Sequence, residues 1–122
     1  MTIKEYSAVS LAFMGDAVLS LLVRERLVLE GLKPNVLHKE AINYVSASSQ
    51  ASSYHILFEI CIEEEQNILK RGRNANTNHK PRNTKTIDYR LSTGVEALFG
   101  YLHLSKNIER MMELFEILWK NQ

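Results

Sequence analysis

SAVSLAFMGDAVLSLLV, residues 7–23, decides how this chain is read. It reads as a helix that is hydrophobic nearly all round, and a helix of that kind is expected to be buried. Asp16 is its one interruption, the only charged residue between Tyr6 and Arg24. Taking an ionised carboxylate out of water costs several kcal/mol unless something compensates, so Asp16 needs a cation, a set of donors or a partner. On the helix its neighbours are Val9, Ala12, Phe13, Leu19 and Ser20, none of which pairs with a carboxylate. A second run, LSTGVEALFGYLHLS at 91–105, repeats the pattern with Glu96 as its only formal charge. The two lone carboxylates either find separate basic partners, such as Arg24 or Arg90 for Asp16, or they meet. If they meet, a divalent cation relieves their repulsion most simply.

Helical spacing recurs along the rest of the chain and sustained period-two alternation does not, which makes the class all-α. Residues 1–122 are expected to form one domain, a length sufficient to bury roughly two-thirds of the unfolded surface. The first helix runs from an N-cap at Ser7 to Leu29, with Gly31 and Pro34 beyond it. Further helices are predicted over Val36–Val45, from Ser46 through Cys61, and from Glu63, Glu64 and Glu65 to near Gly72. Leu91, Val95, Leu98 and Leu102 mark a fifth; Ile108, Met111, Met112, Phe115, Leu118 and Trp119 mark a sixth. On the fifth, Glu96 shares its face with Ser92, Phe99, Gly100 and His103. Gly94 and Gly100 each cost that helix about 1 kcal/mol, which is explained if a backbone or a ligand approaches closely there.

The net charge of +1 hides an uneven distribution. Residues 70–90 hold seven bases (Lys70, Arg71, Arg73, Lys80, Arg82, Lys85, Arg90) against Asp88, for +6, and the remaining eight bases and thirteen acids leave −5. Within this segment GRNANTNHKPRNTKT, 72–86, has no large apolar residue and reads as a long loop that contributes nothing to a core. Arg and Lys interleaved with Asn supply charge neutralisation and neutral donors, a mixture suited to a nucleic-acid backbone; the alternative is a solvated connector. Cys61 is the sole cysteine, so no intrachain disulfide forms and a reducing, cytoplasmic setting is expected. The apolar run around Asp16 is too short and too costly for a membrane span or a signal-peptide core. His38, His55, His79 and His103 lack zinc-ligand spacing, and no phosphate loop or Ser/His/Asp signature is present.

FMGDAV at 13–18 and EALFGYL at 96–102 resemble the two signature helices of the ribonuclease III catalytic domain. VSASSQA at 45–51, LKRGRNAN at 69–76 and YRLSTGVEALFGYLHL at 89–104 extend the resemblance over essentially the whole chain. They are most similar to the Mini-ribonuclease III family, whose members have that domain without an appended double-stranded-RNA-binding domain. The resemblance implies that Asp16 is the catalytic aspartate and Glu96 the second metal-binding carboxylate. Larger ribonuclease III enzymes carry a Glu and an Asp where this chain has Ala12 and Thr93; Mini-ribonuclease III proteins are similar to this chain at both positions.

The resemblance further implies an all-α, dimeric, Mg²⁺-dependent endoribonuclease, with Mn²⁺ as a substitute ion, that cuts double-stranded RNA and leaves a 5′ phosphate and a 3′ hydroxyl. Its implied substrate is the precursor of large-subunit (23S) ribosomal RNA. Arg71, Arg73, Asn74, Lys80, Arg82, Lys85 and Arg90 are the expected RNA contacts. Phe13 is expected to insert into a second copy of the chain in a homodimer, with Gly15 permitting that approach. A non-catalytic RNA-binding relative would keep the fold and the loop without the carboxylates. A helical interaction domain would explain the core but not the basic segment.

Overall fold

A computed structural model describes residues 1–75 and 86–121, and among them the chain is helical throughout. A short 3₁₀ turn at Ile3–Glu5 precedes six helices: α1 (Ala8–Leu29), α2 (Pro34–Val45), α3 (Ala47–Ile60), α4 (Glu63–Asn74), α5 (Thr86–Leu104) and α6 (Ile108–Lys120). The boundaries follow local chemistry. Ser7 Oγ accepts from the Ser10 amide at 3.0 Å and Ser46 Oγ from the Ser49 amide, satisfying donors that helix starts leave open. Pro34 takes the first turn of α2, where its missing N–H costs nothing, and Gly31 adopts φ +83° after α1.

Helix α5 is the axis of the molecule. Leu91, Val95, Ala97, Leu98, Phe99 and Leu102 are buried along it, packed by α1, α3, α4 and α6. Two crossings bring backbones almost into contact. A Cβ at Gly15 would lie 1.6 Å from the Glu96 carbonyl oxygen, and one at Gly100 would lie 1.9 Å from that of Leu11, so α1 and α5 meet through glycine. Further along, Gly72 of α4 and Gly94 of α5 face each other in the same way. The helix cost of Gly94 and Gly100 is thus offset by dispersion contacts over the crossing.

Three expectations need correction. Helix α1 is not buried all round: Leu11, Ala12, Gly15, Val18, Leu19, Leu22, Val23 and Leu27 face the core, while Val9, Phe13, Leu21 and Val28 form an exposed apolar stripe. Asp16 lies at the margin of that stripe and is exposed, so it needs no buried counter-charge. Finally, α4 continues past Gly72 to Asn74, because Gly72 is buried against α5 and belongs to the helix. Residues 72–74 of the expected loop are therefore helical, and its residues 76–85, with Lys80, Arg82 and Lys85, lie outside the described residues.

Candidate active site

Gly15 and Glu96 lie about 80 residues apart in sequence but are the point of closest approach between α1 and α5. The residue after Gly15 is Asp16, so the crossing that excludes a Cβ also brings the two lone carboxylates together. Both line an open cleft of about 390 Å³, with Val9, Ala12 and Phe13 from α1, Val45 and Ala47 from the α2–α3 junction, and Tyr89, Ser92 and Thr93 from α5. The close approach that Gly15 permits within the chain is thus to α5.

The electrostatics of the pair are unbalanced. Among the described residues no Arg, Lys or His pairs with Asp16 or Glu96, so the Arg24 and Arg90 pairings are not formed. The Glu96 carboxyl is pushed up to about 8, first by burial and then by the Asp16 carboxylate, which is near enough to share its proton. Ala12 and Thr93 both line the cleft and bring no further charge. Thr93 Oγ1 and Ser92 Oγ each donate to the Tyr89 carbonyl, at 2.9 and 2.7 Å, which holds the polar wall beside Glu96 in one arrangement. Sequence reasoning placed Ser92 on the Glu96 face and marked Thr93 as the position of an absent acid, but did not single out Tyr89 as a cleft residue; its helical spacing from Glu96 was the available signal.

A divalent cation fits this donor set. Two acids that meet without a counter-charge among the described residues leave a negative site there, one of them holding a proton against its ordinary tendency, and oxygen ligands suit a hard cation. No cluster of three His, Cys, Asp or Glu side chains exists among the described residues, so the protein would supply two carboxylates, leaving the other positions to water or substrate oxygens.

The expected RNA contacts divide. Arg71 donates to the carbonyls of Lys4 (2.8 Å) and Tyr6 (2.7 Å), tying the chain's first turn to α4 with two of its five N–H groups. Arg73 Nε donates to Asn74 Oδ1 at 3.2 Å, and Arg90 and Asn74 are exposed. Lys70, which carries no acid partner among the described residues, stands 5.6 Å from the Phe58 ring centroid. It lines an open groove with Ser7, Asn67, Arg71 and Asn74, and this groove shares Val9 with the carboxylate cleft.

Comparison with known proteins gives a consistent answer. The Ribonuclease III domain family matches residues 9–107. Mini-ribonuclease 3 of Streptococcus pneumoniae is 47% identical over 111 residues, covering 88% of this chain and 87% of that protein. Mini-ribonuclease 3 of Brevibacillus brevis is 50% identical over 107 residues, covering 87% and 80%. The crystal structure of a Fusobacterium nucleatum protein superposes with a TM-score of 0.86 at 31% identity, covering 98% of this chain and 96% of that one.

Proposed function

Since the chain belongs to the ribonuclease III family, in its Mini-ribonuclease III branch, we propose that it is a metal-dependent endoribonuclease acting on double-stranded RNA. The observation that carries this reading is the Asp16–Glu96 pair, two carboxylates held together by a glycine crossing in an open cleft, with no cation paired to them among the described residues. Asp16 and Glu96 would hold Mg²⁺, or Mn²⁺ in its place. When bound, that ion supplies a Lewis acid that lowers the pKa of a water and neutralises charge on the phosphodiester. Asp16, exposed at the margin of α1, faces the solvent from which RNA arrives. Glu96 would have to give up its retained proton to hold a cation, which would couple affinity to pH. The products expected are a 5′ phosphate and a 3′ hydroxyl.

Arg71, Arg73, Asn74 and Arg90, with Lys80, Arg82 and Lys85 from the sequence, are the proposed contacts to phosphates, and the exposed Lys70 stands beside them. The precursor of 23S ribosomal RNA is the proposed substrate, and the cytoplasm the proposed setting; among the described residues no helix is long and apolar enough to cross a membrane. The apolar stripe of α1, with Phe13 84% and Leu21 63% exposed, supports a homodimer in which a second copy covers it. Phe13 also lines the carboxylate cleft, so the partner would border each site. Phe13→Ala should make self-association concentration-dependent where the parent chain remains dimeric, as sedimentation would read. The function is tested by incubating the purified protein with a labelled RNA duplex in Mg²⁺ or in EDTA. Discrete cleavage in Mg²⁺ alone is expected; no cleavage of any duplex in Mg²⁺ or Mn²⁺ would overturn the reading.

A further inference from the structure

Tyr89, Ser92, Thr93 and Glu96 all line the carboxylate cleft from one side of α5, as steps of three, one and three residues on a 3.6-residue turn require. Three of the four carry hydroxyls, and the three are not equivalent. Ser92 Oγ and Thr93 Oγ1 belong to buried residues and both donate to the Tyr89 carbonyl, at 2.7 and 2.9 Å, so the single proton of each is spent inside the helix. Tyr89 is half-buried at the open cleft. Among the described residues its phenolic oxygen has no hydrogen-bond partner, and its ring meets no other ring and no cation. Its phenol is therefore the one hydroxyl of this wall still able both to donate and to accept.

The charge around it narrows what it can receive. Asp16 and Glu96 share the cleft, and no Arg, Lys or His is among the described residues that line it. A phosphate other than one neutralised by a cation at the acids would be repelled here, whereas a neutral hydroxyl would not. The group whose capacity matches a phenol, one proton to give and lone pairs to accept with, is another hydroxyl. A-form RNA displays one on every nucleotide, the ribose 2′-hydroxyl along its wide minor groove, and DNA has none.

We propose that Tyr89 is a specificity-determining residue of the cleft, its phenol hydrogen-bonded to the 2′-hydroxyl of one nucleotide of the bound strand. Seven residues of helix, about 10 Å, separate Tyr89 from Glu96, and side chains on a helix lean toward its start, so the ribose it meets lies along the strand from the phosphate at the two acids. Ser92 and Thr93 are positioning residues that fix the turn from which the phenol projects. The proposal rests on the double-stranded-RNA reading above and adds to it the group by which this cleft tells RNA from DNA.

The test uses the full chain and an RNA duplex that the parent protein cuts at one position, so that the register is known. Affinity is measured with Asp16→Asn and with Asp16→Asn/Tyr89→Phe, for that duplex, for the same duplex with one 2′-deoxynucleotide moved along one strand, and for the DNA duplex of the same sequence. With Asp16→Asn alone, one deoxynucleotide position should weaken binding about threefold to tenfold, the worth of one hydrogen bond. Adding Tyr89→Phe should weaken the all-RNA duplex by a similar factor, leave the DNA duplex unchanged, and remove the cost of the deoxynucleotide at that position. The hydroxyl lost has no partner among the described residues, so the thermal midpoint should stay at the parent's value, separating lost binding from misfolding. A deoxynucleotide profile that Tyr89→Phe leaves unaltered would overturn the assignment, as would an equal loss of affinity for RNA and DNA, the mark of a phosphate contact. Should no duplex RNA be cut by the parent or bound by Asp16→Asn, the double-stranded-RNA reading itself would fail, and the role of Tyr89 would fall with it.

Discussion

Glu65 and Glu96 are both acids set into helix faces, and the chain treats them in opposite ways. Glu65 on α4 is fully buried, accepts from Arg110 Nε and Nη2, each at 2.8 Å, and accepts from the Ile62 amide at 3.0 Å. Burial pushes its pKa up, but these donors outweigh burial and hold the carboxyl below its ordinary value. Glu96 is less deeply buried but meets an acid instead of a base, and its carboxyl rises to about 8. The difference separates structure from chemistry. A carboxylate answered within the chain joins two helices, here α4 to α6, whereas a pair left unanswered is a place where something from outside supplies the charge.

The sharpest way to break this comparison is Asp16→Asn, which keeps shape and removes one charge of the unanswered pair. Cleavage of a duplex should fall at least about a hundredfold while helicity and RNA binding persist. Unchanged turnover would mean that the pair is not the reacting centre. Arg110→Met attacks the other side by stranding Glu65 as a buried, unpaired carboxylate. Breaking a buried pair costs about 3–5 kcal/mol, reduced here because Arg110 is partly solvated, so the urea midpoint should drop clearly. Its turnover per folded molecule at low temperature should match the parent's; a variant as stable as the parent would show that Glu65 is not held by Arg110.

Gly15→Ala should act on both stability and site, because its methyl must displace the Glu96 backbone. Overpacking of this kind costs about 1–3 kcal/mol, read by thermal unfolding. It should also separate the carboxylates, so that the Glu96 titration followed by NMR moves down from about 8 toward its ordinary value. The smallest effect, taken per pH unit, is the pH profile of metal-free protein. The unfolded chain releases the Glu96 proton near 4.5 whereas the folded chain keeps it until about 8, so folded protein binds more protons in that window and stability falls as pH rises through it. The slope is at most about 1.4 kcal/mol per pH unit, and Glu96→Gln should flatten it. Glu65 runs the other way: its contribution is full above the ordinary carboxylate range and is lost as pH falls below it. A profile that rises from pH 5 to 8 in the metal-free parent would contradict the Glu96 assignment.

How much of the molecule was legible in its sequence depends on the distance over which each feature is decided. The helix starts at Ser7, Pro34 and Ser46, the apolar periodicities and the two isolated acids are set within a few residues, since capping and amphipathic spacing act over one or two turns. Those features sufficed for an all-α class and for Asp16 and Glu96 as the residues of interest. The burial inferred for Asp16 did not hold, because a helix apolar on every side looks the same in sequence whether its second face meets the core or the outside. Gly15 illustrates a related point: a glycine announces close contact without naming the other backbone, which within this chain is that of α5. The bonds of Arg71 to Lys4 and Tyr6 and the Glu65–Arg110 pair join residues distant in sequence. The sequence by itself thus determined the helices and the two acids; that the acids meet, at a crossing where no Cβ fits, was decided only when α1 packed against α5, because backbone approach is a property of two surfaces together.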